Sequence, residues 1–330
     1  MKLKVGIIGF GTMGKIRKEA IVELARAEVI VISDPGLPVH FNELPNLSHS
    51  EIINHPDLNI IVVCTPNFMN KKLTIEALNA GKHVFCEKPP AFTGSDVLEI
   101  REAEKRSGKK LMYGFNHRHH DSIIKMKELI ESGEYGKILW SRGRYGKSVT
   151  KDYYNQWRAK KELAGGGILI DQGIHMLDLF LYLSGDYDLV KAEVSNLYWK
   201  MDVEDNAFVI LKDSITGKVA SLHSTMTQWR HLFSLEIFLE KGYMVLNGLI
   251  TSTMSYGEET LSVARNRSTA PAATWEDEIN TKYNINNSWR YEMEHFFNAI
   301  ENDIPVEIGN SSDALKLMTI IDKIYEQKNF

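Results

Sequence analysis

Cysteine is nearly absent from this chain, with Cys64 and Cys86 the two in 330 residues. Two thiols cannot staple a chain of this length, which excludes a disulfide-built scaffold. No run approaches the roughly 20 consecutive apolar residues that span a bilayer, so a membrane protein is not expected. Charge of one sign is scarce as well. Lys and Arg number 39 against 43 Asp and Glu, a net −4, which leaves no electrostatic case for nucleic acid or an anionic membrane surface. Repeats and low-complexity tracts are missing too. The opening "MKLKVGIIGFG" lacks the longer apolar region and cleavage site of a signal peptide, so the expected compartment is the cytoplasm.

What is present is ordinary globular material, 43% hydrophobic and 25% charged, and at about 150 residues per domain the length suggests two domains. Residues 1–118 alternate strand and helix signals. "LKVGIIGFG", "EVIVIS", "LNIIVVCTP", "KHVFCEKP" and "KKLMYGFN" read as strands, and Thr12–Ala27, Lys71–Ala80 and Asp96–Ser107 as helices. Short β-branched runs separated by helices predict βαβ units and a parallel sheet. Residues 119–330 change rhythm. Helices over Ser122–Ser132 and Ile168–Leu183 precede the strand-like runs "KAEVSNLYW", "NAFVILKD", "GKVASLHSTMT", "LFSLEIFLE" and "GYMVLNG". The "TGK" and "EKG" turns predict hairpins, and helices over Asn287–Asn302 and Ser311–Glu326 close the chain. This second domain is expected to be α+β with an open, predominantly antiparallel sheet. A sheet face rich in Phe, Leu and Met predicts a partner subunit, hence a homodimer or homotetramer.

Gly9, Gly11 and Gly14 form G-x-G-x-x-G between the first strand and the first helix. Such glycines permit a tight turn and close backbone approach, while the helix start at Thr12 and Met13 offers N–H groups to a pyrophosphate. The pattern alone is weak, but its position makes it a dinucleotide-binding Rossmann signature. Asp34 ends the second strand, 20 residues past Gly14. A carboxylate there accepts from the adenosine ribose hydroxyls and repels a 2′-phosphate, so NAD(H) is expected over NADP(H). Its alternative reading is a turn residue before Pro35–Gly36.

Lys88, in "CEKPP", follows a strand of this sheet, and parallel sheets bind ligands beyond the carboxyl ends of their strands. A cis Lys88–Pro89 bond would aim the ammonium inward, where it could stabilise charge on an alcohol oxygen. The plainer alternative is a surface lysine paired with Glu87. Farther on, "GGGILIDQGIHMLDLF" places Asp171, His175 and Asp178 on one face of a helix. An imidazole titrating near neutrality suits removal of a hydroxyl proton; a solvated stripe is the alternative. Gly173 is expected to leave the face beside His175 open, and Gly165–Gly167 to let backbone approach a ligand closely.

With these motifs stated, the chain resembles the Gfo/Idh/MocA family of glucose–fructose oxidoreductase and inositol dehydrogenase. The resemblance rests on Gly9–Gly14, "CTPN" at 64–67, "AGKHVFCEKP" at 80–89, "GFNHR" at 114–118 and "GGGILIDQGIHMLD" at 165–178, in order over nearly the whole chain. It implies that His175 is the general base, that Asp171 binds a substrate hydroxyl or partners the base, and that Lys88 joins them. The expected cofactor set is Gly9, Gly11, Thr12, Met13, Gly14, Asp34, Thr65, Pro66, Asn67, Glu87 and Lys88. Asn116 is an expected substrate or nicotinamide contact, Arg118 a brace between the domains, and Asp178 a structural or supporting acid. The aromatic–basic loop "YYNQWR" makes Tyr153, Trp157 and Arg158 candidate sugar or phosphate contacts, or core packing.

"HRHH" at 117–120 suggests a metal at first sight, but adjacent residues do not face one another and no partner spacing follows, so none is expected. Two departures from the family stand out. Few residues separate Asp34 from "DLNIIVV", so a helix and a strand are expected to be shortened or lost; and Asn70 stands where relatives often carry histidine. The expected function is an NAD(H)-dependent oxidoreductase acting on a secondary alcohol or ketone of a sugar, amino sugar, nucleotide sugar or inositol. An NAD-dependent glycosidase-like enzyme of the same fold, and a non-catalytic NAD-sensing regulator, are the alternatives.

Overall fold

The structure is a computed structural model that describes residues 2–267 and 274–327. The chain forms two compact units, Met1–Asn116 with Ser288–Thr319, and His117–Asn287 with Ile320–Phe330. The expected division at residue 118 follows the chain; the compact units do not, because Ser288–Thr319 returns to the first.

In the first unit five parallel strands run in the order Ala27–Ser33, Leu3–Ile8, Ile60–Val63, His83–Glu87, Leu111–Gly114. Both faces of such a sheet are covered, which is why "IIVV" of Ile60–Val63 is buried at every residue. Ile7, Val62 and Phe85 share a core with Met293, Phe296 and Phe297 of the returning helix Ser288–Glu301. Phe85 meets Phe296 edge-to-face at 5.9 Å, and burying each such ring contributes about 1.5–3 kcal/mol.

The expected shortening after Asp34 is present. A two-residue hairpin, His40–Phe41 with Leu44–Pro45, and a helix over His49–Ile53 fill the segment. A lone parallel bridge between Ile32 and Asn46 sits where a further strand would pair. Asn46 substitutes its side chain for that strand: Nδ2 donates to the Asp34 and Leu37 carbonyls, each at 2.9 Å, and Oδ1 accepts from the Asp34 N–H.

The second unit carries an eight-stranded sheet in the order Ile279–Tyr283, Glu259–Arg265, Gly242–Asn247, Thr227–Leu239, Ile138–Ser148, Val219–Thr225, Asn206–Lys212, Leu189–Ser195. Every neighbouring pair is antiparallel except Ile138–Ser148 with Val219–Thr225. Strand Asn206–Lys212 shows the alternation of a sheet covered on one side: Ala207, Val209 and Leu211 are buried, Phe208, Ile210 and Lys212 exposed. Both expected hairpins form, with Gly217 at φ +81° supplying the left-handed residue of one.

Candidate active site

All five strands of the first unit point their carboxyl ends to one edge, so Gly9–Gly14, Asp34, Thr65–Asn67, Lys88 and Asn116 all follow strands at that edge. The glycines of the loop do different work. Gly9 has φ +88°, and a Cβ there would lie 2.5 Å from the Cys64 carbonyl oxygen. A Cβ on Gly14 would lie 2.2 Å from the Gly9 oxygen, whereas one on Gly11 would meet nothing within 4 Å. Gly9 and Gly14 thus close the turn, and Gly11 keeps its outer side open ahead of the helix Thr12–Leu24. The first-turn N–H groups at Thr12 and Met13 have no acceptor within the helix. This cradle fits a dinucleotide pyrophosphate.

Asp34 proves to be more than a ribose candidate. Its Oδ2 accepts from the Phe10 N–H and its Oδ1 from the Gly36 N–H, both at 2.9 Å. The carboxylate therefore ties the phosphate loop to its own turn, as the turn reading expects.

The Lys88–Pro89 bond is cis. Glu87 is buried and has a partner other than the one the surface-pair alternative gives it. Its Oε1 accepts from Arg17 Nε at 2.7 Å inside the unit. Asn70, the departure from the family, is fully buried and bridges two motifs. Its Oδ1 accepts from the Thr65 hydroxyl at 3.1 Å, and its Nδ2 donates to the Pro89 carbonyl at 2.8 Å. An amide supplies both acceptor and donor here, so it braces the segments on either side of Lys88 and Asn67. Asn116 donates to the Ser288 hydroxyl at 3.2 Å.

In the second unit the expected helix begins as a π-helical turn, Leu169–Gly173, and continues as α-helix over Ile174–Ser184. Such turns recur at functional sites because they re-aim side chains. The three titratable residues are not a solvated stripe. Asp171 accepts from Lys147 Nζ at 2.7 Å and lies 3.6 Å from Arg158 Nε. His175, 4% exposed, lies flat against His117 with ring centroids 3.8 Å apart. Asp178, fully buried, takes two bonds from Arg118, at 2.8 and 2.6 Å. Arg118, expected to brace the domains, thus has its carboxylate partner inside its own unit.

The glycines beside this helix correct an expectation. A Cβ on Gly173 would press on Leu169 and Ser224 at 3.1 Å, and one on Gly167 would lie 2.0 Å from the Glu204 carbonyl oxygen. Gly173 lets the helix settle against Ser224 of the sheet and Gly167 lets the preceding turn pass the Glu204 main chain, so neither stands beside open space. Around Asp171, Tyr153 is buried with a hydroxyl that meets no hydrogen-bond partner among the described residues. Burial first, and then the Asp171 charge, push its ionisation well up, so the hydroxyl stays a donor. Trp157 is half-buried, with the Arg158 guanidinium 4.3 Å from its ring centroid.

Lys147, Tyr145, His117 and Arg17 were not picked out as site residues from sequence. The first two sit on "ILWSRGRYGKS", a strand disguised by two glycines and three basic residues; the signal it does carry is a period of two, with Arg142 and Arg144 exposed between the buried Ser141, Gly143 and Tyr145. Among the described residues no group of three or more His, Cys, Asp or Glu could hold a metal ion, and none has a helix long and apolar enough to cross a membrane.

Comparison with known proteins agrees with this geometry. Residues 3–115 match the oxidoreductase family model with NAD-binding Rossmann fold, and residues 123–245 the Gfo/Idh/MocA C-terminal domain. Levoglucosan dehydrogenase of Pseudarthrobacter phenanthrenivorans is 32% identical over 210 residues, 58% of this chain and 54% of that protein. Inositol 2-dehydrogenase of Salmonella typhimurium is 30% identical over 202 residues, 58% of this chain and 57% of that one. The chain therefore spans little more than half the length of these curated relatives. A solved levoglucosan dehydrogenase in complex with NADH and levoglucosan superposes with a TM-score of 0.86 at 25% identity, covering 99% of this chain and 97% of the other. With family models matched in chain order from the phosphate loop to the second sheet, the protein belongs to the Gfo/Idh/MocA oxidoreductase family and carries its NAD-binding Rossmann domain.

Proposed function

We propose that the protein is an NAD(H)-dependent oxidoreductase that moves hydride to or from a secondary alcohol or ketone carbon of a cyclic polyol: a sugar, amino sugar, nucleotide sugar or inositol. The observation that carries the reading is the Asp171–His175 turn. A buried imidazole lies one turn from an acid held by Lys147 and Arg158, an investment in polar orientation that a helix resting on a sheet does not need. Two relatives are named as dehydrogenases of levoglucosan and inositol, which supports the substrate class.

Bound NAD⁺ supplies the hydride acceptor. In the oxidative direction His175 takes the hydroxyl proton as the C–H electron pair leaves carbon, and the O–H pair becomes the carbonyl bond. Lys88 donates to the reacting oxygen and disperses its developing charge. Asp171 and Asn116 orient ring hydroxyls, Tyr153 donates its hydroxyl, and Trp157 with Arg158 offers a face and a charge to the rest of the ring. Asp34 favours NAD(H) over NADP(H), since its carboxylate stands against a 2′-phosphate.

The test is appearance of the NADH absorbance band with myo-inositol, levoglucosan and alkyl glucosides, run alongside chromatography for cleaved product. Turnover is expected with NAD⁺ and much less with NADP⁺, and His175→Ala should lower kcat by about 10²–10⁴. Unaltered turnover in both His175→Ala and Lys88→Ala would sink the reading. Cleaved product without net NADH would select the glycosidase-like alternative, and NAD binding with no turnover the regulatory one.

A further inference from the structure

The residues 117–120 have no part in the function just proposed, yet His117, Arg118, His119 and His120 are all buried. Arg118 belongs to Asp178, and His120 Nδ1 lies 3.0 Å from Glu259 Oε2. His117 does something else. Its ring is parallel to that of His175 within 15°, at a centroid distance of 3.8 Å. Its Nε2 shares a hydrogen bond of 2.9 Å with the Tyr145 hydroxyl. Tyr145 in turn is packed edge-on against Phe233 and Tyr256, each at 5.3 Å. Burial holds the Tyr145 hydroxyl far above its ordinary ionisation range, so it remains a neutral anchor.

We infer that His117 is a positioning residue for the general base: its ring, held in place by Tyr145, is the flat surface that sets the plane of the His175 imidazole. This rests on His175 being the base. A base must present a nitrogen to the hydroxyl within a narrow angle, and an imidazole on a helix turns about two side-chain bonds. A stacked ring resists that turning, because a tilt of His175 separates the two faces. The opposing ring cannot yield, since its outer nitrogen is tied to a tyrosine wedged between two other aromatic rings. The contact touches the base and not the substrate, so its loss should appear in kcat and leave KM nearly unchanged.

The experiment uses whichever polyol the full-length protein turns over with NAD⁺. His117→Ala is expected to lower kcat about tenfold with KM within about twofold, the cost of a loosened near-attack geometry. His117→Phe keeps a flat ring but loses the nitrogen that ties it to Tyr145, and should recover part of kcat, to a value between those of His117→Ala and the parent. Should His117→Ala not fold, His117→Leu beside His117→Phe makes the comparison, equal bulk with and without a flat face. Parent-like kcat in His117→Ala or His117→Leu overturns the inference. So does an equal loss in His117→Phe, which would assign the effect to the nitrogen, and so does a loss confined to KM. His175→Ala separates the two levels. If it retains kcat, or if the parent shows no turnover, the base assignment falls and the inference with it; if it loses kcat while His117→Ala does not, the inference alone falls.

Discussion

Arg17 is completely buried three residues past the last glycine of the phosphate loop. Its Nε lies 2.7 Å from Glu87 Oε1, its Nη1 2.6 Å from Glu292 Oε2, and its guanidinium 4.4 Å from the Phe85 ring centroid. Burial works against the charge, but Glu292 and Glu87 outweigh it and hold Arg17 above its ordinary ionisation range. The residue beside Lys88 is thereby pinned to the helix that carries the phosphate loop. Arg17→Met would remove the cation that the buried Glu87 and Glu292 share, at an expected cost of about 3–5 kcal/mol in urea denaturation. Adding Glu292→Gln should restore part of it; a cost under about 1 kcal/mol would show that the cluster contributes little. Nothing local announces this arginine. A lone basic residue on a first helix reads as solvent-facing, and its two partners lie 70 and 275 residues away.

Elements are legible in the sequence where their signals are local. Helices over Gly94–Ser107 and Ser288–Glu301 fall within about two residues of expectation, since caps and apolar periodicity are written in the sequence. The Thr93–Asp96 capping box marks the start of the first of these. Strand Ile138–Ser148 escaped, because its Gly143 answers to a neighbour and not to strand propensity: a Cβ there would lie 2.3 Å from Met176 Cγ. The site helix therefore sits on the sheet through Gly143, while Gly167 lets the turn before the helix pass the Glu204 main chain. Both alanine variants overpack, at about 1–3 kcal/mol in general. Gly167→Ala is expected at or above the top of that range because it meets the Glu204 main chain. Gly143→Ala should cost less, since its Cβ meets side chains only, the flexible Met176 and the edge of the Phe180 ring at 2.9 Å. Thermal unfolding of the two variants reads the order, and a reversed ranking would contradict this account of how the helix is seated.

At the scale of the whole molecule, the outer face of the second sheet is unusual for a surface. Phe208, Ile210 and Leu189 are each about half exposed; Phe208 stacks on His223, and Trp140 on Phe238. Arg142 pairs with Glu236 on the same face at 2.7 Å. Apolar surface with both charge signs at hand suits a second copy of the chain, related by symmetry. We therefore expect a dimer or tetramer in light scattering, reduced to monomer by Phe208→Arg combined with Ile210→Arg. A monomeric parent protein would refute this.

The sequence by itself determined the βαβ order, the phosphate loop followed by Asp34, and the placing of Asp171 and His175 one turn apart, because each depends on neighbours within about one turn or one strand–helix step. Tertiary structure alone decided that Ser288–Thr319 completes the first unit, that Arg17 holds Glu87, that Asn70 bridges two motifs, and that His117 faces His175. Those outcomes come from close packing between segments remote in the chain, where shape and charge are matched only after the strands have found their order.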